Sequence, residues 1–260
     1  MKRKNGDDDV FGFGQLIGIL KKNPKKIVFT EGEDPRILEA SSRLLASYFL
    51  HPILIGDEKR IADAAEESGF NIRGAEIIDP EKFDKIDEMV ELYCELRKKK
   101  GVTPDQAREI LKQANYFGTM LVKMGFADAL LGGATYSTAD TVRPALQLIK
   151  TKPGNNLVSS CFILVRPSAT GDNEVLAMGD CAININPTED DLVEIAGETA
   201  KCARIFDVDP KIAFLSYSTH GSGKGEAVDK MRNAAQKTKE KYPDCLLYTS
   251  DAADDLIGVD

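Results

Sequence analysis

The chain has 260 residues, 42% of them apolar and 29% charged, with 34 basic against 42 acidic side chains and a net charge of −8. That length can bury one large core or two smaller ones, and the acidic balance argues against nucleic acid or an anionic membrane as the main partner. An anionic ligand would therefore have to be held by a local cluster of Arg, Lys and backbone N–H groups.

Taken in chain order, the opening "MKRKNGDDDVFGFGQLIGIL" sets basic residues before an apolar patch, as a signal peptide does. Asp7, Asp8 and Asp9 interrupt it and no small-residue cleavage site follows, so Phe13, Leu16, Ile17 and Leu20 read instead as one face of a short helix. No run reaches the length of a membrane span, and a cytoplasmic protein is expected. Four short apolar runs follow, "KKIVFT", "HPILIGD", "GAEIIDP" and "ADALLGGA", each bounded by Gly, Pro or Asp as buried strands are.

Helical patterns lie between them. Asp34-Pro35 predicts an N-cap with Pro at N1, ahead of Ile37, Leu38, Leu44, Leu45, Tyr48 and Phe49. Phe83, Ile86, Met89, Val90, Tyr93 and Leu96 make a second stripe. Thr103-Pro104-Asp105-Gln106 is a capping box leading into a third, at Ile110, Leu111, Ala114, Phe117 and Leu121. This βαβα alternation predicts an α/β fold, a mostly parallel sheet with helices on both faces.

At Lys152-Pro153-Gly154-Asn155-Asn156 the character changes to a turn-rich break. The expected division is a first domain over 1–152 and a second α/β domain over 153–244. In the second, "LVSSCFILVR" and "EVLAMGDCAININP" read as strands about a hairpin loop, Pro167 to Asn173. Thr188 caps a helix holding Leu192, Ile195, Ala196, Ala200 and Ala203, and "KIAFLSYS" is one more strand. Five scattered cysteines (Cys94, Cys161, Cys181, Cys202, Cys245) contain no C-x-x-C pair. They argue against a disulfide framework or zinc site and read as small buried hydrophobes in a reducing compartment.

Ligands of open α/β sheets sit at the C-terminal ends of strands, so the loops after strands are the places to search. "TEGEDPR" follows the first strand. In "GGATYSTADTVRP", Gly132 and Gly133 permit close backbone approach and Ser137 and Thr138 offer hydroxyls. Asp140 reads as an N-cap, which would set Arg143 in the first turn of a helix whose N-terminus attracts anions. A solvated Arg on a capped helix is the equally weighted plain alternative. "SYSTHGSGKG" combines Ser216, Ser218, Thr219, Gly221, Ser222, Gly223 and Lys224, able to form a nest of N–H groups around phosphate. Its spacing is not that of a P-loop. Neither His51 nor His220 has an adjacent nucleophile and carboxylate, so a hydrolase triad lacks support. Arg97, in "ELRKKKG", reads first as a cation at a helix C-terminus.

Together "TEGEDPRILEA", "ELRKKKG", "ANYFGTMLVKMGFADALLGGATYSTADTVRPALQLIKT", "MGDCAININPT" and "AFLSYSTHGSGKG" resemble the phosphate acetyltransferase (phosphotransacetylase) family, in order from Lys25 to Asp244. The resemblance implies reversible acetyl transfer between coenzyme A and inorganic phosphate, with CoA or acetyl-CoA as substrate and no covalently bound cofactor or catalytic metal. It implies two α/β domains similar to the isocitrate/isopropylmalate dehydrogenase-like fold, an active site between them, and a homodimer of the full-length enzyme. Arg97 maps to a CoA-binding arginine and Arg143 to an arginine lining the site. Ser137, Thr138, Ser218, Thr219, Gly221 and Ser222 map to its substrate loops. Phosphate butyryltransferase shares this chemistry. A non-catalytic CoA- or acyl-phosphate-binding module is the alternative from another class. A decarboxylating dehydrogenase would need metal-ligating aspartates and a nucleotide site that are not evident.

The family-like sequence stops at Asp244. "CLLYTSDAADD", from Cys245, resembles the translation of a transposase-type sequencing-library adaptor, so 245–260 is expected to be a non-native tail. By the resemblance, the proposed catalytic base belongs to a C-terminal region not present here. The second domain is then incomplete, the first lacks its return segment, and this chain is expected to be an inactive fragment.

Overall fold

The computed structural model of the chain describes residues 13–167, 173–206, 208–218 and 223–251. Its backbone packing forms two compact units, one spanning Gln15–Lys150 and the other made up of Thr151 onward, with Phe13 and Gly14 also assigned to it.

In the first unit, β1 (Lys25–Phe29), β2 (Leu50–Ile55), β3 (Glu76–Ile78) and β4 (Ala129–Leu131) form one parallel sheet in the order β3-β2-β1-β4. Strand residues alternate faces, and both faces are buried. Phe29 and Leu54 point toward α2 (Pro35–Ser47) and α3 (Glu58–Ser68), meeting Ile37, Leu38, Ile61 and Ala65. Val28, Ile53 and Ile55 point the other way, toward α4 (Ile86–Leu96), α5 (Pro104–Leu111) and α6 (Ala114–Lys123), where Met89, Tyr93, Leu111, Phe117 and Met120 are buried. Burying each such side chain stabilises the fold by roughly 1.5–3 kcal/mol.

The helix starts follow the cap chemistry. The Asp34 carboxylate accepts from the Arg36 N–H with Pro35 at the first position, and Thr103 and Gln106 form the reciprocal capping box. The third stripe is not one helix, however. Gln113 is extended (φ −78°, ψ 121°) and separates α5 from α6. Periodicity did not show this break because both helices bury their apolar residues in the same cluster. Ahead of β1 in the chain, helix α1 (Phe13–Lys22) leaves Leu16, Ile17 and Leu20 half-buried and Ile19 exposed.

The second unit is built from smaller pieces. β5 (Cys161–Pro167) and β6 (Asn173–Gly179) pair antiparallel, so this sheet departs from the parallel pattern. Thr188 caps α8 (Glu189–Ile205) through a capping box with Asp191. β7 (Lys211–Ser216) precedes α9 (Glu226–Lys241), and β8 (Leu246–Asp251) pairs parallel with β7 along its whole length. The segment read as a tail therefore begins with a strand in register. The cysteine reading needs correction here: Cys245 is buried, but Cys94, Cys161 and Cys202 are only partly so and Cys181 is exposed; all are free thiols.

Candidate functional site

In the first unit the chain leaves β1 toward β2 and later returns to β1's other side as β4, so the sheet changes direction between β1 and β4. The crevice beyond their C-terminal ends is where such sheets bind ligands. Here Glu31 occupies it. Its carboxylate is buried (9% exposed) and accepts from the Gly133 N–H (3.2 Å), the Thr135 N–H (2.6 Å), the Thr135 hydroxyl (3.1 Å) and the Thr30 hydroxyl (3.2 Å). The N–H groups expected to face a ligand are thus held by an internal anion. Gly132 also serves the protein's own packing, since a Cβ there would lie 2.7 Å from Thr30 Oγ1. Gly133 carries a φ of +110°, which an L side chain rarely adopts.

Beyond this clasp the structure corrects the reading of "STADTVRP". The N-cap of α7 (Thr138–Pro144) is Ser137, whose Oγ accepts from the Asp140 N–H (3.2 Å) while its hydroxyl donates to the Asp140 carboxylate (2.6 Å). Arg143 therefore stands in the last turn, not the first, away from the N-terminal N–H groups. Pro144 is tolerated inside the helix because the carbonyl it leaves without a donor, that of Asp140, accepts instead from Asn115 Nδ2 at 2.8 Å. Ser137 is committed to its cap. Thr138 and Arg143 are exposed, and neither side chain has an ion pair or hydrogen bond among the described residues.

Arg97 lies in the same unit, at the C-terminal end of α4, where its N–H donates to the Tyr93 carbonyl. The guanidinium lies beside the Tyr93 phenol, and its Nε is buried without a hydrogen-bond partner. Burial pushes the Tyr93 phenol above its ordinary pKa, the Tyr116 phenol adds to this, and Arg97 opposes it. Tyr93 packs edge-on against Tyr116 (6.4 Å between centroids), and the Tyr116 hydroxyl donates to Gln147 Oε1 at 3.3 Å. Gln147 belongs to a π-helical turn, Ala145–Ile149, that directly continues α7. A line of side chains thus connects the Arg97 end of α4 with the segment following Arg143. Sequence reading treated Tyr93 as plain core and missed Tyr116 and Gln147; a phenol one turn before an arginine was the available signal.

Among the described residues Arg36, Arg43, Arg60, Arg108 and Arg232 are each paired with a carboxylate, whereas Arg97 and Arg143, like Arg73 and Arg204, are not. On a protein of net charge −8, two guanidiniums kept from neutralisation offer bidentate donors to an anionic ligand.

In the second unit Ser218 is buried (4% exposed), and its Oγ accepts from the Gly223 N–H at 2.8 Å, closing the loop after β7. The Ser218 N–H in turn donates to Ser216 Oγ at 3.1 Å. Thr219, Gly221 and Ser222, with His220, lie outside the described residues. His51 is exposed.

A cavity of about 780 Å³ opens at the C-terminal ends of β1, β2 and β3, away from both arginines. Glu31, Asp34, Asp57 and Asp79 line it, and its cations are already engaged, Lys82 by Asp57 and Asp79 and Arg60 by Glu33. The Lys82 ammonium holds the Asp79 carboxyl below its ordinary pKa against the opposing effect of burial. Such a lining repels a polyphosphate, so size alone does not make this cavity the site.

The sequence model of the family described as phosphate acetyl/butaryl transferase matches residues 13–250. The phosphate acetyltransferase of Bacillus subtilis is 47% identical over 222 residues, covering 85% of this chain and 67% of that protein. That of Nitratidesulfovibrio vulgaris is 44% identical over 232 residues, covering 89% of this chain and 32% of that longer protein. A crystal structure of a phosphotransacetylase from Streptococcus pyogenes superposes with a TM-score of 0.85 at 44% identity, over 94% of this chain and 73% of that one.

Proposed function

The chain belongs to the phosphate acetyl/butaryl transferase family, and we propose that it carries the substrate-binding part of an enzyme exchanging an acetyl group between coenzyme A and inorganic phosphate. The observation that carries this reading is the pair Arg97 and Arg143, which stand in the family-like motifs "ELRKKKG" and "STADTVRP" and have no carboxylate partner among the described residues. In the forward direction a phosphate oxygen attacks the thioester carbonyl, the carbonyl π electrons collect on oxygen, and their return expels the CoA thiolate. Acetyl-CoA and phosphate become acetyl phosphate and CoA. Every participant is anionic or becomes so, and guanidinium donors lower the cost of bringing them together. Arg97, with its unpartnered Nε, is assigned to CoA and Arg143 to the phosphate and the developing oxyanion. Ser137, Thr138, Ser218, Thr219, Gly221 and Ser222 are assigned to substrate binding on the strength of the family motifs, with Ser137 acting through the helix cap that it holds.

The acetyl rather than butyryl group is favoured by the names of the relatives. A likeness to isocitrate/isopropylmalate dehydrogenase-like folds, a homodimer and a cytoplasmic location belong to the same proposal. No helix among the described residues is long and apolar enough to cross a membrane. The chain spans about two thirds of the B. subtilis relative, and the base that activates the CoA thiol is assigned to the part it does not match.

The test is thiol release from acetyl-CoA on addition of phosphate, with this chain and with the chain extended by a relative's unmatched segment. Turnover is expected in the extended protein alone. There Arg97→Ala should raise the KM for CoA about tenfold, one lost charged contact being worth ~1.4 kcal/mol or more, and Arg143→Ala should lower kcat at least as much. Full turnover by the chain as it stands refutes the assignment of the base. An extended protein that binds CoA without turnover favours a binding module.

A further inference from the structure

The fold brings three of the five cysteines to one corner of the unit that begins at Thr151. Cys161 opens β5 opposite Gly179, the last residue of β6. Ser160 donates from its N–H to the Asp180 carboxylate (3.3 Å), and the Cys181 N–H donates to Ser160 Oγ (3.3 Å). The Ser160-Cys161 and Asp180-Cys181 steps are thereby tied across the ribbon. The Cys181 thiol turns back to donate to the Met178 carbonyl at 3.3 Å. Helix α8 closes the corner from a third direction. It approaches β6 so nearly that a Cβ at Gly179 would lie 2.1 Å from Thr199 Oγ1. Cys202 follows Thr199 by three residues on the same side of that helix, and its thiol lies beside that of Cys161.

Metal binding is not what this corner is arranged for. The Asp180 carboxylate is committed to the N–H groups of Ala182, Ile183 and Asn184, and no group of three or more His, Cys, Asp or Glu among the described residues is placed to hold a metal ion. The chemistry open to two adjacent thiols is oxidation.

We infer that Cys161 and Cys202 form an intramolecular disulfide when the protein meets a hydroperoxide, tying the start of β5 to the C-terminal part of α8. One sulfur attacks the peroxide, the O–O bond breaks, and a sulfenic acid and an alcohol (water, for hydrogen peroxide) result. The second sulfur attacks the sulfenic sulfur, the S–S bond forms, the S–O bond breaks, and the hydroxide leaves as water with the remaining thiol proton. Two thiols are oxidised by two electrons and one hydroperoxide is reduced. The sulfurs must close to about 2.05 Å. Burial first, then the neighbouring Cys202, pushes the Cys161 thiol up to about 11. Cys161 therefore rests protonated at neutral pH, and the link answers to sustained oxidant rather than to traces of it.

The experiment treats the whole chain with hydrogen peroxide, blocks remaining thiols with iodoacetamide, and digests it without reduction for mass spectrometry. The expected result is a loss of two alkylatable thiols and a linked peptide pair containing Cys161 and Cys202, both released by dithiothreitol. Cys181→Ser and Cys94→Ser should keep the link and Cys202→Ala should abolish it. Cys161 and Cys202 alkylated as fully as in untreated protein would overturn the inference, as would a link from Cys161 to Cys181 or between two chains. The wild-type reading needs no variant to fold and does not depend on acyl transfer.

Discussion

Between Gln15 and Lys150 one parallel sheet is buried on both faces, and alternate residues of β1 and β2 feed two clusters that each join several helices. From Thr151 onward two separate two-stranded sheets do the equivalent work, and a central cluster there is Ala196, Phe214, Ala234 and Ala235. The β5–β6 ribbon leaves Phe162 and Leu164 exposed on one face. A four-stranded sheet covered on both sides shares each strand's packing among many partners, whereas a ribbon packed on one side has few to share with. The first arrangement suits a rigid platform for Arg97 and Arg143. The second leaves room for local adjustment.

The same substitution in each unit tests that contrast. Phe117→Ala removes a fully buried ring that stacks edge-on against Phe83 at 5.3 Å, and should cost about 3–5 kcal/mol, read as a lowered urea midpoint. Phe214→Ala should cost about 3 kcal/mol but act locally: hydrogen exchange should quicken in β7 and α9 while β1, β2 and β4 keep their protection. Equal loss of protection in both units would break the comparison.

A pH test sharpens it further. Burial opposes ionisation of Asp180, but the Ser160 hydroxyl and the N–H groups after Asp180 outweigh it and hold the carboxyl well below its ordinary range. With a depressed native pKa, its contribution is present above the unfolded value of about 4 and fades as pH falls through the native one. Asp180→Asn should therefore lower stability by roughly 1–3 kcal/mol at neutral pH, and the difference in melting temperature from wild type should shrink below about pH 4. A constant difference across that range would mean that the charge is not what holds the turn. The smallest effect is expected for Asn115→Ala, about 1 kcal/mol, from leaving the Asp140 carbonyl unsatisfied where Pro144 supplies no N–H. Its readout is fraying of α7, seen as faster exchange of the Thr141 and Val142 amides.

Strands β1 to β4 were legible because each is a short apolar run between turn residues, and so were the caps at Asp34, Thr103 and Thr188, where side-chain chemistry is local. The break at Gln113 was not, since two helices serving one cluster leave a single apolar stripe. Nor was the true N-cap of α7: Ser137 and Asp140 are both good capping residues, and only the folded backbone distinguishes them.

The alternation of elements, the net negative charge and the motifs that place the chain in its family are properties of neighbouring residues or of periodic pattern, and so are written in the sequence. Only packing brings the Glu31 carboxylate into the crevice, buries the Arg97 Nε without a partner, and sets Cys161 beside Cys202. Each of these depends on contacts between residues far apart in the chain, and such contacts exist only once the sheet and its helices have packed.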